Sequence, residues 1–173
     1  MALNGEKEPS APLVSKPGSC DYLTGLYAMW AALMGVYHAQ KTGEGDVIDV
    51  SQYESCLRVQ GYGPLMYTTT GEQLKRTGNK EATYAGIDVF ECKDGNYCVV
   101  QVSGRPAAKA IAALLGLDDE EHFIEGRPTL NGTPQGDRLD GAIKAFCLER
   151  TPDEVETQLK AIGVACAPIN NYE

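Results

Sequence analysis

From Tyr22 to about Gln40, apolar residues return every third or fourth position: Leu23, Leu26, Tyr27, Trp30, Leu33, Met34 and Tyr37. That spacing predicts an amphipathic helix. Gly25, Ala28, Ala31, Ala32 and Gly35 fill the positions between. So many small side chains let another backbone lie very close, so the helix reads as one buried in a larger body. The nearly apolar run Tyr22 to Tyr37 is too short to cross a bilayer, and no membrane partner is expected.

The residues that follow alternate between helix and strand signals. Lys41-Thr42-Gly43-Glu44-Gly45 reads as a turn with Gly43 as the helix stop. Asp46 to Val50 alternates as a short strand. Ser51-Gln52-Tyr53-Glu54 has the spacing of a capping box, which predicts a second helix to about Met66. Thr68 to Ala82 is polar, carries glycine and has no period, as expected of a linker. Ile87 to Cys92 and Asn96 to Val102 read as strands joined by the hairpin signal Asp94-Gly95. Helices are expected over about 106–116 and 137–149, with a third starting at Thr151-Pro152-Asp153-Glu154. Val164 to Ile169 reads as a last short strand. Residues 1–20 hold three prolines and no period, and read as a leader or linker. They lack the apolar stretch of a signal peptide.

Composition narrows the function classes. With 173 residues, the chain makes one ordinary domain or two small ones, and its 43% hydrophobic content is globular. A net charge of −9 argues against a nucleic-acid partner, because a phosphate backbone needs a basic face. Of the six cysteines, Cys20, Cys56, Cys92, Cys98, Cys147 and Cys166, no two form C-x-x-C, and only His38 and His122 add imidazole. No zinc spacing results. The cysteines read as reduced thiols of a cytoplasmic protein, with Cys92 and Cys98 facing each other across the hairpin. There is no G-x-G-x-x-G, P-loop, G-x-S-x-G or H-E-x-x-H. Pattern alone therefore ends at an α/β or α+β protein. Asp21, at the head of the first helix, reads by position as a helix cap.

Four runs of residues take the reading further: DYLTGLYAMWAAL from Asp21, KTGEGDVIDVSQYESCLR from Lys41, TYAGIDVFECKDGNYCVV from Thr83 and GVACAPI from Gly163. Together with RTGN at 76–79, they resemble the class III CoA-transferases, the CaiB–BaiF family, and most of all its carnitine-type members. The resemblance covers about Gly18 to Ile169. It implies an α/β fold: a helix–strand–helix piece of the large CoA-transferase domain, then a small α+β domain with a β-hairpin. The implied boundaries are a leader or linker at 1–20, part of the large domain at 21–67, a linker at 68–79 and the small domain at 80–173. Complete members also carry an N-terminal nucleotide-binding portion and a returning C-terminal segment, and pair as interlocked rings. An internal fragment is therefore expected, partnered by a second copy or by the remainder of the protein.

The resemblance also implies chemistry. An aspartate attacks an acyl-CoA thioester, forming a mixed anhydride and freeing CoA thiolate. The thiolate then attacks the enzyme carbonyl and leaves an aspartyl-CoA thioester, which a free carboxylate discharges in the reverse sense. The nucleophile maps onto Asp21. An ordinary carboxylate is ionised at neutral pH and needs no base. It is a weak nucleophile until a site desolvates and aligns it, and bonding to helix amides weakens it further. Gly18 and the region of Gly86 are the expected sources of oxyanion donors, and Tyr84 and Gly86 the expected substrate- or CoA-binding residues, in a loop over the site. Coenzyme A enters as a substrate; no metal is expected. Two other readings stand beside the transferase: an acyl-CoA racemase or epimerase of the same family, which moves an α-proton with acid–base pairs, and a non-catalytic fragment. Glu54, Asp46 and Asp49 read as structural, Arg58 and Arg76 as solvated arginines, and His38 as a packing or capping residue.

Overall fold

Caps and glycines divide the chain in a computed structural model that describes residues 5, 7, 9–13 and 18–171. Much of the leader expected at 1–20 lies outside the described residues. Two compact units result, residues 1–76 and 77–173.

In the first unit, α1 spans Ser19–Thr42 and starts three residues before the expected position. It stops at Gly43, whose left-handed φ of 78° lets its N–H reach the Ala39 carbonyl at 2.8 Å. No residue of this helix is buried within the chain, so the described residues do not supply the larger body expected to cover it. Tyr22 and Trp30 are each 70% exposed. Nor do residues 46–50 form a strand. A strand exists by pairing, and among the described residues of this unit there is no strand to pair with.

The helix expected from Ser51 to Met66 is instead two. α2 spans Gln52–Arg58, with the Ser51 hydroxyl accepting from the Glu54 N–H at 3.4 Å. α3 spans Gly63–Thr70 with Pro64 in its first turn. Proline removes a donor and clashes with the preceding turn, and Gly61 at φ 65° reverses the chain just before it. The linker expected from Thr68 therefore starts later, after Thr70.

The second unit is built on three antiparallel strands in the order β1 (Ile87–Glu91), β2 (Tyr97–Gln101) and β3 (Ala165–Pro168). Phe90 stands opposite Cys98, and Val100 opposite Cys166. Alternation puts these four on one buried face. The hairpin turns at Asp94-Gly95, where Gly95 takes φ 79° and the Asp94 carboxylate accepts from the Asn96 N–H at 3.1 Å.

Four helices belong to this unit: α4 (Gly104–Leu114), α5 (Glu121–Glu125), α6 (Pro134–Leu148) and α7 (Pro152–Ala161). α6 buries Leu139, Ile143, Phe146 and Cys147, one face of a 3.6-residue repeat. α7 buries Val155 and Leu159. These side chains join Ile111 of α4, Phe123 of α5 and the sheet face in one apolar cluster. Threonines open the last two helices. Thr133 accepts from the Gly136 N–H at 3.1 Å, and Thr151 and Glu154 form a reciprocal capping box.

Ile143 is 1% exposed, so Ile143→Ala removes a packed side chain and is expected to cost about 2–5 kcal/mol of stability. Thr151→Ala, which breaks the capping box, is expected to cost about 1 kcal/mol. Urea unfolding followed by circular dichroism reads both. Equal midpoints for wild type and Ile143→Ala would contradict this packing.

Candidate active site

Asp21 is the third residue of α1, and Gly18, not Asp21, is its cap. Its own N–H donates to the Gly18 carbonyl at 2.9 Å, so the residue lies inside the first turn. A simple cap is therefore not its role. Its side chain is exposed. A negative charge here faces the positive end of the helix dipole. The Gln52 side-chain amide donates to Asp21 Oδ1 at 2.7 Å. The other oxygen, Oδ2, lies 2.8 Å from where a β-carbon on Gly18 would stand. The missing side chain at 18 thus makes room for the carboxylate.

Cys20, the neighbour of Asp21, is joined by a disulfide to Cys56 of α2, with Cα atoms 5.7 Å apart. This corrects the expectation of six reduced thiols. The pair is 36 residues apart in sequence and gives no local signal. Gln52 was equally illegible, since the capping-box pattern assigned roles only to Ser51 and Glu54. Glu54 and Arg58 line a cavity of about 290 Å³ with Tyr27, Ile48 and Ser51. Arg76 donates to the Ser10 carbonyl. His38 is exposed, and its carbonyl accepts from the Thr42 hydroxyl at 2.9 Å.

In the second unit, Tyr84 and Ala85 line a cavity of about 490 Å³. Ile87, Val102, Ala108 and Leu139 supply apolar wall, and Ser103, Arg105, Arg127 and Thr129 supply polar wall. The loop is tied down at successive residues. The Tyr84 N–H donates to Glu81, the Ala85 N–H to the Thr129 carbonyl at 2.9 Å, and the Gly86 N–H to Asp140 Oδ1 at 2.7 Å. The Gly86 carbonyl accepts from the Val102 N–H at 3.0 Å. Gly86 is therefore engaged on both sides, and its amide has no hydrogen to spare for an oxyanion. Its φ of 77° and a β-carbon position only 2.8 Å from Val102 Cγ2 exclude a side chain there.

Lys80 pairs with Asp140, which in turn holds Gly86. Asp88 stands beside them. Burial raises its carboxyl above the ordinary 3.8; the Val89 amide opposes the shift, Asp140 adds to it and Lys80 offsets it. In the core, Cys98 Sγ lies 3.7 Å from Cys92 and 3.8 Å from Cys147. Cys92 and Cys98 meet at their sulfurs without a disulfide, Cys92 donating to Cys98, although the cross-strand partner of Cys98 is Phe90. Burial pushes the Cys92 thiol up to about 12, whereas hydrogen bonding to Cys98, with burial added, raises Cys147 and Cys166. Hydrogen bonds from Cys147, Cys166 and Cys92 lower the Cys98 thiol against the burial that raises it. Among the described residues, no group of three His, Cys, Asp or Glu side chains is placed to hold a metal ion. None of the described helices is long and apolar enough to cross a membrane.

Comparison with known proteins shows the family. CoA-transferase family III matches residues 1–173. The chain belongs to that family. It is 32% identical over 176 residues to the bile acid CoA-transferase BaiK of Clostridium scindens, covering 98% of this chain and 39% of the relative. It is 37% identical over 178 residues to the L-carnitine CoA-transferase of a Proteus species, covering 98% of this chain and 42% of the relative. Among solved structures, a CAIB/BAIF family protein from Brucella suis superposes with a TM-score of 0.71 at 25% identity, covering 99% of this chain and 45% of that one. This family III chain thus spans less than half the length of these relatives.

Two outcomes check the loop. Gly86→Ala is expected to cost roughly 1–3 kcal/mol, the strain of a side chain in a left-handed conformation. A carboxyl raised on folding binds its proton more tightly in the folded state, so its contribution to stability is largest at low pH and falls as pH rises through the folded value. Asp88→Asn removes that fall. It is expected to raise the urea midpoint at neutral pH and leave it unchanged well below the ordinary carboxylate range. A lower midpoint at neutral pH would show that the charged form of Asp88 is favoured instead.

Proposed function

We propose that this chain carries the nucleophile of a CoA-transferase that moves CoA between an acyl-CoA thioester and a free carboxylate, with Asp21 as the attacking group. The observation that carries the reading is the Asp21 carboxylate itself. It is exposed in the first turn of α1, oriented at one oxygen by Gln52 and given room at the other by Gly18. A carboxylate that caps no helix and sits in no packed core is available to a thioester carbonyl.

The steps follow from that group. One Asp21 oxygen adds to the thioester carbon, and the tetrahedral oxyanion collapses by expelling CoA thiolate, which leaves an acyl-aspartyl anhydride. CoA thiolate adds to the Asp21 carbonyl and releases the first acid, which leaves aspartyl-CoA. The acceptor carboxylate reverses the sequence. Every exchange trades one acyl bond for another, so no net oxidation and no hydrolysis occur. Oxyanion donors are required at each of the four additions. The Gly86 amide, committed to Asp140, is not free to be one of them. The carnitine- and bile-acid-acting relatives favour a carboxylic acid acceptor.

Complete turnover is expected to need more protein than this chain. The chain spans 39% and 42% of its curated relatives, and α1 leaves Trp30, Leu33 and Met34 largely exposed. A second copy or the remainder of a family-length protein would cover that face, and would exclude water from Asp21, as nucleophilic carboxylates require.

The test is covalent. Family-length protein carrying this sequence is incubated with an acyl-CoA and a free carboxylate, and the Asp21 peptide is weighed. A CoA adduct on Asp21, absent from Asp21→Asn, is expected, together with a loss of transfer of at least about a hundredfold in that variant. Full transfer by Asp21→Asn, or an adduct on another residue, would overturn the assignment.

A further inference from the structure

A disulfide and a side-chain hydrogen bond join the start of α1 to α2 side by side. The disulfide is Cys20–Cys56, and the hydrogen bond runs from Gln52 to Asp21. Cys20 and Asp21 are neighbours in α1, while Gln52 and Cys56 are four apart in α2, one turn along a single face. Burial adds little at this corner. α1 buries no residue, and α2 buries only Ser55. The covalent link therefore carries more of the docking of α2 than it would over a packed core. Cys20 and Cys56 are half-buried and within reach of a small molecule. By contrast, Cys92, Cys98, Cys147 and Cys166 are at most 8% exposed. The Cα separation of 5.7 Å is one at which two cysteines bridge and unbridge without moving the backbone.

We propose that Cys20 and Cys56 form a reversible thiol-modification site, oxidised by a small-molecule disulfide such as glutathione disulfide, whose bridged form holds the Asp21 carboxylate against Gln52. One protein thiolate attacks a sulfur of glutathione disulfide and expels one glutathione thiolate. The other protein thiolate attacks the resulting mixed disulfide and expels the second. Two electrons pass from the protein sulfurs to the glutathione sulfurs, and the two protons end on the released thiols. Reduction reverses each step. In the reduced form α2 loses its covalent tether, Gln52 leaves the carboxylate, and Asp21 is exposed to water on both oxygens. The consequence for catalysis rests on Asp21 being the nucleophile; the thiol chemistry does not.

The test uses the full chain, reduced with dithiothreitol, desalted and divided. One portion is treated with glutathione disulfide, and both are alkylated without denaturant and mapped by mass spectrometry. A Cys20–Cys56 linked peptide is expected in the oxidised portion only. The four core cysteines are expected to stay unalkylated until denaturant is added. Each portion is then exposed to a water-soluble carbodiimide and an amine, and labelling of Asp21 is timed. Release of a hydrogen bond to a charged acceptor predicts labelling on the order of tenfold faster in the reduced form. Cys56→Ser is expected to label at the reduced rate whatever the oxidant. Two separate glutathione adducts in place of the bridge, or equal labelling of Asp21 in both forms, would overturn the proposal. Neither readout involves acyl-CoA, so its failure and the failure of the nucleophile assignment are told apart.

Discussion

The apolar face shared by β1, β2 and β3 is the constraint on which residues 77–173 depend. Phe90, Cys98, Val100 and Cys166 have no way out of water except against helices, and α4, α6 and α7 bring Ile111, Ile143 and Val155 to meet them. The loop at Tyr84–Gly86 inherits its shape from that packing. Gly86 is pinned between Val102, which follows β2, and Asp140 on α6. The cavity beside Tyr84 is thus walled by parts whose positions the core sets.

Residues 1–76 obey the opposite rule. α1 is as apolar as many core helices, yet none of its residues is buried within the chain. Its fold relies on backbone bonding, the Gly43 stop, and the disulfide and Gln52 hydrogen bond to α2. That difference matters for function because the proposed nucleophile sits on this less covered part. A carboxylate reacts poorly with a thioester while fully hydrated, so cover over α1 and activation of Asp21 are one requirement.

Legibility followed the distance over which each signal acts. The hairpin at Asp94-Gly95, the stop at Gly43 and the capping box at Thr151 are all written within four residues, and each stands where the residues indicate. Asp46 to Val50 carries the alternation of a strand, but pairing is a property of two segments, and the described residues of this unit hold no second strand. The break between α2 and α3 was present as Gly61 and Pro64 and was outweighed by the capping signal at Ser51. Single-turn α5 has too few residues to show a period. At the candidate site, the role proposed for Asp21 comes from family resemblance alone. Gln52 and Cys56 were not legible, because they lie 31 and 36 positions along the chain from their partners, Asp21 and Cys20.

Native-state hydrogen exchange tests the contrast most directly. Amides of β1, β2, α6 and α7 should exchange only with unfolding of the core, and those of α1 much faster, by local opening. Slowing of α1 on addition of the remaining family-length protein would complete the account. Protection of α1 equal to that of the sheet, in this chain alone, would contradict it.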